Sequence, residues 1–218
     1  MKPPDWLTNE RFLVFDIETT GLDHSVDRIV QIATLQIDKS EIVHRWVSLV
    51  NPERPIPEAA SNVHGIFDGA VREAQEFWRI APIVAQLAAG RHLLGYNAAH
   101  FDAPFVRAEF LHAGKTISER YPVDALIWVR EIDRYVPGQG RHRLEATCRR
   151  WNVPTLKAHD ALSDCEATWR LFRTLVEERP GAFPRTIDEV LSAQRILGER
   201  QEKDRAQYLA RQKEFSQP

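Results

Sequence analysis

Asp16 and Glu18 stand two residues apart at the end of an apolar run, Phe12 to Ile17 (FLVFDI), that suits a strand buried on both faces. A strand's period of two puts both carboxylates on one face. Two negative charges held side by side near a core repel, and a cation or a shared proton relieves them. The same pair also fits a strand that ends at Asp16 with both groups in water. A second carboxylate, Asp102, lies in Leu94 to Phe105 (LGYNAAHFDAPF), near the start of a helix, where dipole and capping chemistry also favour an Asp. The third motif is Ala158 to Asp164 (AHDALSD). In the helix it opens, Ala161, Cys165, Thr168, Trp169, Phe172, Leu175 and Val176 make one stripe, with Asp164 on its flank and aimed at a crevice. His159, just ahead of that helix, can swing over the same spot, although a histidine there can equally be structural or solvated. Each motif alone is ordinary, and it is their joint, ordered occurrence that points to one site.

The elements that must position these groups alternate in type. Gly21 ends the first strand, and Arg28 to Asp38 and Glu41 to Val50 are β-rich runs separated only by Lys39 and Ser40, a hairpin spacing. After the Pro-rich stretch Asn51 to Pro57 the pattern turns helical, with short pieces around Pro57 to His64 and a helix over Glu76 to Ala89. A strand at His92 to Tyr96 precedes a helix over Phe101 to His112, and a short strand follows at Tyr121 to Asp124. Helices then cover Leu126 to Arg134, His142 to Trp151 and Asp160 to Val176. Strands first in hairpins and later alternating with helices predict a mixed α/β sheet. The expected division is an N-terminal extension over 1–10, a main unit over 11–180 and a charged helical tail over 181–218. The run Glu199 to Glu214 has few apolar anchors, so a solvated helix is preferred there over a partner-binding one.

Composition sets limits. The 218 residues with 43% hydrophobic content support one full-sized core. With 29 Lys and Arg against 31 Asp and Glu, the formal charge of −2 advertises no broad basic surface, so any anionic substrate would depend on local charge. Cys148 and Cys165 lack Cys-x-x-Cys spacing and read as buried, reduced thiols. No stretch approaches the roughly 20 apolar residues of a membrane span, and a cytoplasmic location is expected.

DIETTGL, NAAHFD and HDALSD resemble the three exonuclease motifs of the DEDD superfamily, in its histidine-bearing subgroup, across about Phe12 to Val176. That subgroup includes proofreading subunits of replicative polymerases, ribonuclease T, oligoribonuclease and exonuclease I. The extra residue between Asn97 and Phe101, with the RLE of Arg143 to Glu145 and the KAHD of Lys157 to Asp160, is most similar to exonuclease I. Tyr96 replaces the histidine common elsewhere in the family.

The resemblance implies a ribonuclease H-like sheet of five strands, three antiparallel and then two parallel, flanked by helices. It implies a metal-dependent 3′-to-5′ exonuclease in which Asp16, Glu18, Asp102 and Asp164 hold two divalent cations and His159 is the general base. An oxygen-only ligand set suits Mg²⁺, with Mn²⁺ as a substitute. By the same resemblance, Thr19, Thr20, Gly21, Leu22, His64, Ile66, Asn97 and Phe101 contact the substrate, with Leu22 as a wedge between the last two bases. Without it, Leu22 and Phe101 would read as core residues and His64 as a loop histidine. The implied partner is a single-stranded DNA 3′ end, and RNA is the alternative because these motifs do not read the sugar. Two further readings are a non-catalytic 3′-end binding module and a metal-dependent phosphatase. A protein partner of the tail is a third contact to consider, and no membrane is expected.

Overall fold

The computed structural model describes residues 2–117, 121–155 and 160–215. After a helical turn, α1 (Trp6–Asn9), come β1 (Phe12–Thr19), β2 (Ile29–Asp38) and β3 (Glu41–Leu49). Three helices follow, α2 (Glu58–His64), α3 (Asp68–Val71) and α4 (Phe77–Ala88), and then β4 (His92–Gly95), α5 (Asp102–His112) and β5 (Val123–Asp124). The chain continues through α6 (Ala125–Ile132), α7 (Leu144–Arg150), α8 (Ala161–Glu178), a 3₁₀ turn at Pro180–Ala182 and α9 (Ile187–Phe215).

Among the described residues five strands form one sheet in the order β3-β2-β1-β4-β5. β1 is antiparallel to β2 and parallel to β4, and β4 is parallel to β5, so the mixed sheet takes the ribonuclease H-like form expected. The β2–β3 hairpin closes through Lys39 and Ser40, both at positive φ (50° and 64°), the twist-matched geometry of a two-residue turn. Neither is the Gly or Asn that such a turn favours. The Ser40 hydroxyl helps hold it by donating to the Leu7 carbonyl at 2.8 Å.

Alternation along β1 divides the core. Phe12 and Val14 face a layer that includes Trp169, Phe172 and Leu175 of α8, while Phe15 and Ile17 face Phe77, Ile80 and Val84 of α4 and Phe105 and Phe110 of α5. Asp16 and Glu18 continue the line of Phe12 and Val14, so the sheet's own pleat turns them toward α8. α5 is fixed to the sheet from the other side. Its buried Glu109 accepts Arg28 Nε at 2.9 Å, Arg28 Nη2 at 3.0 Å and the Ile29 amide at 3.0 Å.

Residues outside 11–180 also reach the core. Trp6 packs against Phe12, Phe172 and Phe183, and its indole donates to the Pro184 carbonyl at 3.0 Å. In the first turns of α9, Ile187, Val190 and Gln194 are buried, whereas residues 202–211 are exposed. No helix among the described residues is long and apolar enough to cross a membrane.

Candidate active site

Asp16 and Glu18 lie toward the carboxyl end of β1, Asp102 opens α5 and Asp164 stands in the first turn of α8, all near enough to act on one another electrostatically. Burial pushes Asp16 well above the usual carboxylate range, and Asp102, Glu18, Asp164 and Asp160 add to the rise in that order. Burial likewise raises Glu18 to about 8, with Asp164, Asp102 and Asp160 contributing. Asp102 is raised by burial too, opposed by its own amide and that of Ile17. Side chains from three segments therefore share one field of negative charge.

The second carboxylate reaches beyond its own helix. Asp102 is 3% exposed, and its Oδ1 accepts the Ile17 amide at 3.1 Å, tying the start of α5 to β1 between Asp16 and Glu18. One oxygen is thus committed to the sheet. As the side chains stand, no three His, Cys, Asp or Glu residues among those described already converge on a single point as a metal cage. The donor set nevertheless fits hard divalent cations, because its ligands are all carboxylate oxygens whose repulsion a cation relieves.

His159 lies outside the described residues. Beside it, Asp160 caps α8, accepting the Ser163 amide at 3.1 Å and its hydroxyl at 2.7 Å. Sequence reasoning passed over Asp160, although its place three residues before Ser163 at a helix start is an N-cap signature.

The segment after β1 folds into a closed loop. Thr19 Oγ1 donates to the Gly21 carbonyl at 2.6 Å, and buried Thr20 donates to Asp27 at 3.1 Å while accepting the Arg28 amide at 3.0 Å. A side chain at Gly21 would fall 2.3 Å from the Asp27 carboxylate and displace it from Thr20. Leu22 stands 86% exposed at the tip, contrary to the core reading of the isolated residue. His64 Nδ1 accepts the Ile66 amide at 3.0 Å, and burial holds its imidazole below the ordinary range, opposed by the Thr19 backbone. The end of α2 is thereby beside the end of β1. Ile66 packs with Val30, Ile56 and Val71 in a small cluster of its own.

Asn97 has a positive φ of 66° and its carbonyl accepts the amides of His100 and Phe101. Phe101 is half-buried against Phe105, with ring centroids 5.0 Å apart. What holds this loop is Asp124, which sequence reasoning missed. It is fully buried, and it accepts the amides of Asn97 at 2.9 Å, Ala99 at 3.1 Å and Leu126 at 3.0 Å. Gln194 of α9 in turn accepts the Asp124 amide at 2.7 Å and the Trp128 indole at 3.2 Å, and donates to the Pro122 carbonyl at 2.9 Å. Tyr96, in the position of the family's usual histidine, donates to the His142 carbonyl at 2.5 Å. Both cysteines are free and buried; burial raises the Cys148 thiol to about 12 and lifts Cys165 as well.

A comparison with known proteins agrees with this geometry. The exonuclease family model (RNase_T) matches residues 13–172. The DNA polymerase III subunit epsilon of Treponema pallidum is 30% identical over 167 residues, covering 76% of each chain. The PolC-type DNA polymerase III of Bacillus cereus is 28% identical over 173 residues, and there the match covers 79% of this chain but only 12% of that protein. In fold, the chain is similar to E. coli exonuclease I in complex with a dT13 oligonucleotide, with a TM-score of 0.71 at 22% identity over 79% of this chain and 42% of that one. With its motif carboxylates gathered at one end of a ribonuclease H-like sheet and the family model spanning most of its length, the chain belongs to the exonuclease family.

Proposed function

We propose that this chain is a 3′-to-5′ exonuclease that hydrolyses single-stranded DNA to 5′-mononucleotides at a two-metal site. The observation that carries this reading is the charge cluster of Asp16, Glu18, Asp102 and Asp164, which burial and mutual repulsion hold in a state that a cation would relieve. Two divalent cations, Mg²⁺ or Mn²⁺, would stabilise the attacking and leaving oxygens of an in-line displacement at phosphorus. Asp16, Glu18, Asp102 and Asp164 would hold these ions, with the Asp102 Oδ1 also accepting the Ile17 amide. His159 accepts the proton of the attacking water, a task suited to an imidazole with an unperturbed pKa of about 6.5. The bond between phosphorus and the 3′ oxygen of the penultimate nucleotide breaks.

Orientation falls to groups around the cluster. The loop closed by Thr19, Thr20, Gly21 and Asp27 presents Leu22 rigidly, as a wedge needs, while Phe101 offers a partly exposed ring for base stacking. His64, Ile66 and Asn97 complete the proposed substrate contacts. The catalytic unit is assigned to 11–180, with 1–10 and 181–218 as flanking segments.

The test is digestion of 5′-labelled single-stranded DNA and RNA of matched sequence, with Mg²⁺, with chelator, and with Asp16→Ala. Expected is a ladder from the 3′ end that needs the metal, vanishes in the variant and is faster on DNA. No cleavage of either strand by folded protein with Mg²⁺ or Mn²⁺ would overturn the proposal.

A further inference from the structure

α9 runs on from the core past the loop that carries Asp102. Gln201 donates to the Ile127 carbonyl of α6 at 3.0 Å, Arg200 pairs with Glu131 of α6, and Glu202 meets His100 at 3.3 Å. Side chains four apart share a helix face, so Arg205 follows Gln201 along the face that meets α6, where Arg130 follows Ile127 by three. The segment between α6 and α7 comes to the same ridge. Arg150 donates to the Arg141 carbonyl at 3.0 Å, and Tyr96, next to Asn97, donates its hydroxyl to the His142 carbonyl.

Three guanidinium groups therefore gather from α6, from the segment before α7 and from α9. Burial lowers the pKa of Arg130, and Arg205 and Arg141 lower it further, with Asp124 opposing. Arg141 and Arg130 likewise press on His142, whose imidazole burial holds low. Three carboxylates along the ridge are engaged with other groups: Glu131 with Arg134 and Arg200, Asp133 with Arg150, and Glu202 with His100. Among the described residues, none of Arg130, Arg141 and Arg205 forms an ion pair. This is the converse of the carboxylate cluster: clustered like charges that an anion would relieve. Asp124, close enough to act on Arg130, also acts on Asp102 and holds the loop that leads into it, so the two clusters are neighbours of one buried side chain.

We propose that Arg130, Arg141 and Arg205 form a phosphate-binding track that holds the backbone of a nucleic acid strand a few nucleotides back from the 3′ end seated at Asp16 and Glu18. The proposal rests on the exonuclease reading above. Guanidinium groups suit phosphate oxygens, and contacts to the backbone give length-dependent, salt-dependent binding without sequence preference. The track also explains how a chain of formal charge −2 concentrates positive potential where a strand would pass.

Binding of 5′-fluorescein dT12 and dT3 is measured by anisotropy in chelator, so no turnover is involved, for the full chain, Arg141→Ala, Arg205→Ala, the double variant and the corresponding lysine variants. Arg141 and Arg205 are exposed, and far-UV circular dichroism verifies their folding. The wild type should hold dT12 more tightly than dT3. The double variant should lose roughly tenfold for dT12, with the slope of log K against log salt falling by about 1.4, at about 0.7 per lost single-strand contact. The lysine variants should recover most of the loss. Equal wild-type affinity for dT12 and dT3, or a double variant within twofold of wild type on dT12, would overturn the track and leave the ridge to an acidic protein partner. Running the Mg²⁺ digestion alongside separates the two readings. Cleavage with unchanged variant binding sinks only the track, whereas length-dependent, arginine-dependent binding without cleavage sinks only the exonuclease.

Discussion

Asp16 and Asp124 are both carboxylates drawn out of water at the same, carboxyl end of one sheet, yet their surroundings are opposite. Asp124 meets three backbone amides, which oppose the effect of burial and fix a loop, a helix start and a strand end around one side chain. Asp16 meets other carboxylates. The first carboxylate is satisfied by the fold, whereas the second is left for something the fold does not supply. A buried charge with its hydrogen bonds made is structure, and one surrounded by its own sign is a site.

Exchanging the charge at each position should break this symmetry most visibly. Asp16→Asn should lower cleavage by roughly 10³-fold or more, since each 1.4 kcal/mol of lost transition-state stabilisation costs a factor of ten. In chelator the same variant should be more stable by about 0.5–2 kcal/mol, because repulsion has been removed. A stability loss in its urea midpoint would contradict the reading of the cluster as repulsive. Asp124→Ala should behave in the other sense. It leaves three amides without their acceptor, and the urea midpoint should report a loss of about 3 kcal/mol or more, at roughly 1–3 kcal/mol for each unsatisfied buried group.

The pH dependence sharpens the contrast. Glu18 protonates at about 8 in the folded chain against an ordinary 4.5, so between those values the folded state holds a proton that the unfolded state has released. Raising the pH through that window should therefore lower the stability of the metal-free protein, with the fall ending above about pH 8. Thermal melts in chelator should show this slope; saturating Mg²⁺ should flatten it, and Glu18→Gln should reduce it, Asp16 and Asp102 contributing the rest. The smallest effect belongs to Gln194→Leu. Losing the acceptor for the Asp124 amide and the Trp128 indole should cost about 1–3 kcal/mol, partly offset by the apolar side chain.

The legibility of the molecule followed the same division. Asp16, Glu18 and Asp164 could be placed from pattern because a strand's pleat and a helix's stripe are local, periodic signals. The two-residue hairpin was visible through its spacing, although Lys39 and Ser40 are not the residue types that such a turn favours. Asp124 could not be found that way. In YPVDAL it looks like a helix cap, which it also is, and its other donors are amides 25 and 27 residues away that carry no sequence signature. Gln194 was hidden for the same reason, since a polar residue on a charged helix reads as solvated until its partners across the fold are known. Asp102 was located correctly, but its bond to the Ile17 amide was not foreseen, because helix-start chemistry explained it well enough.

The bond from Trp6 to the Pro184 carbonyl, which joins residues 178 apart, bears on how the chain is made as well as how it stands. Trp6 leaves the ribosome well before Phe172, Phe183 and the Pro184 carbonyl that surround it. At roughly 5–20 residues per second, about 10–35 s separate the two ends of this contact. During that interval the tryptophan and the apolar side of β1 have no native cover. This layer of the core therefore closes only after Pro184 has emerged, and until then its apolar surface stays open to other chains.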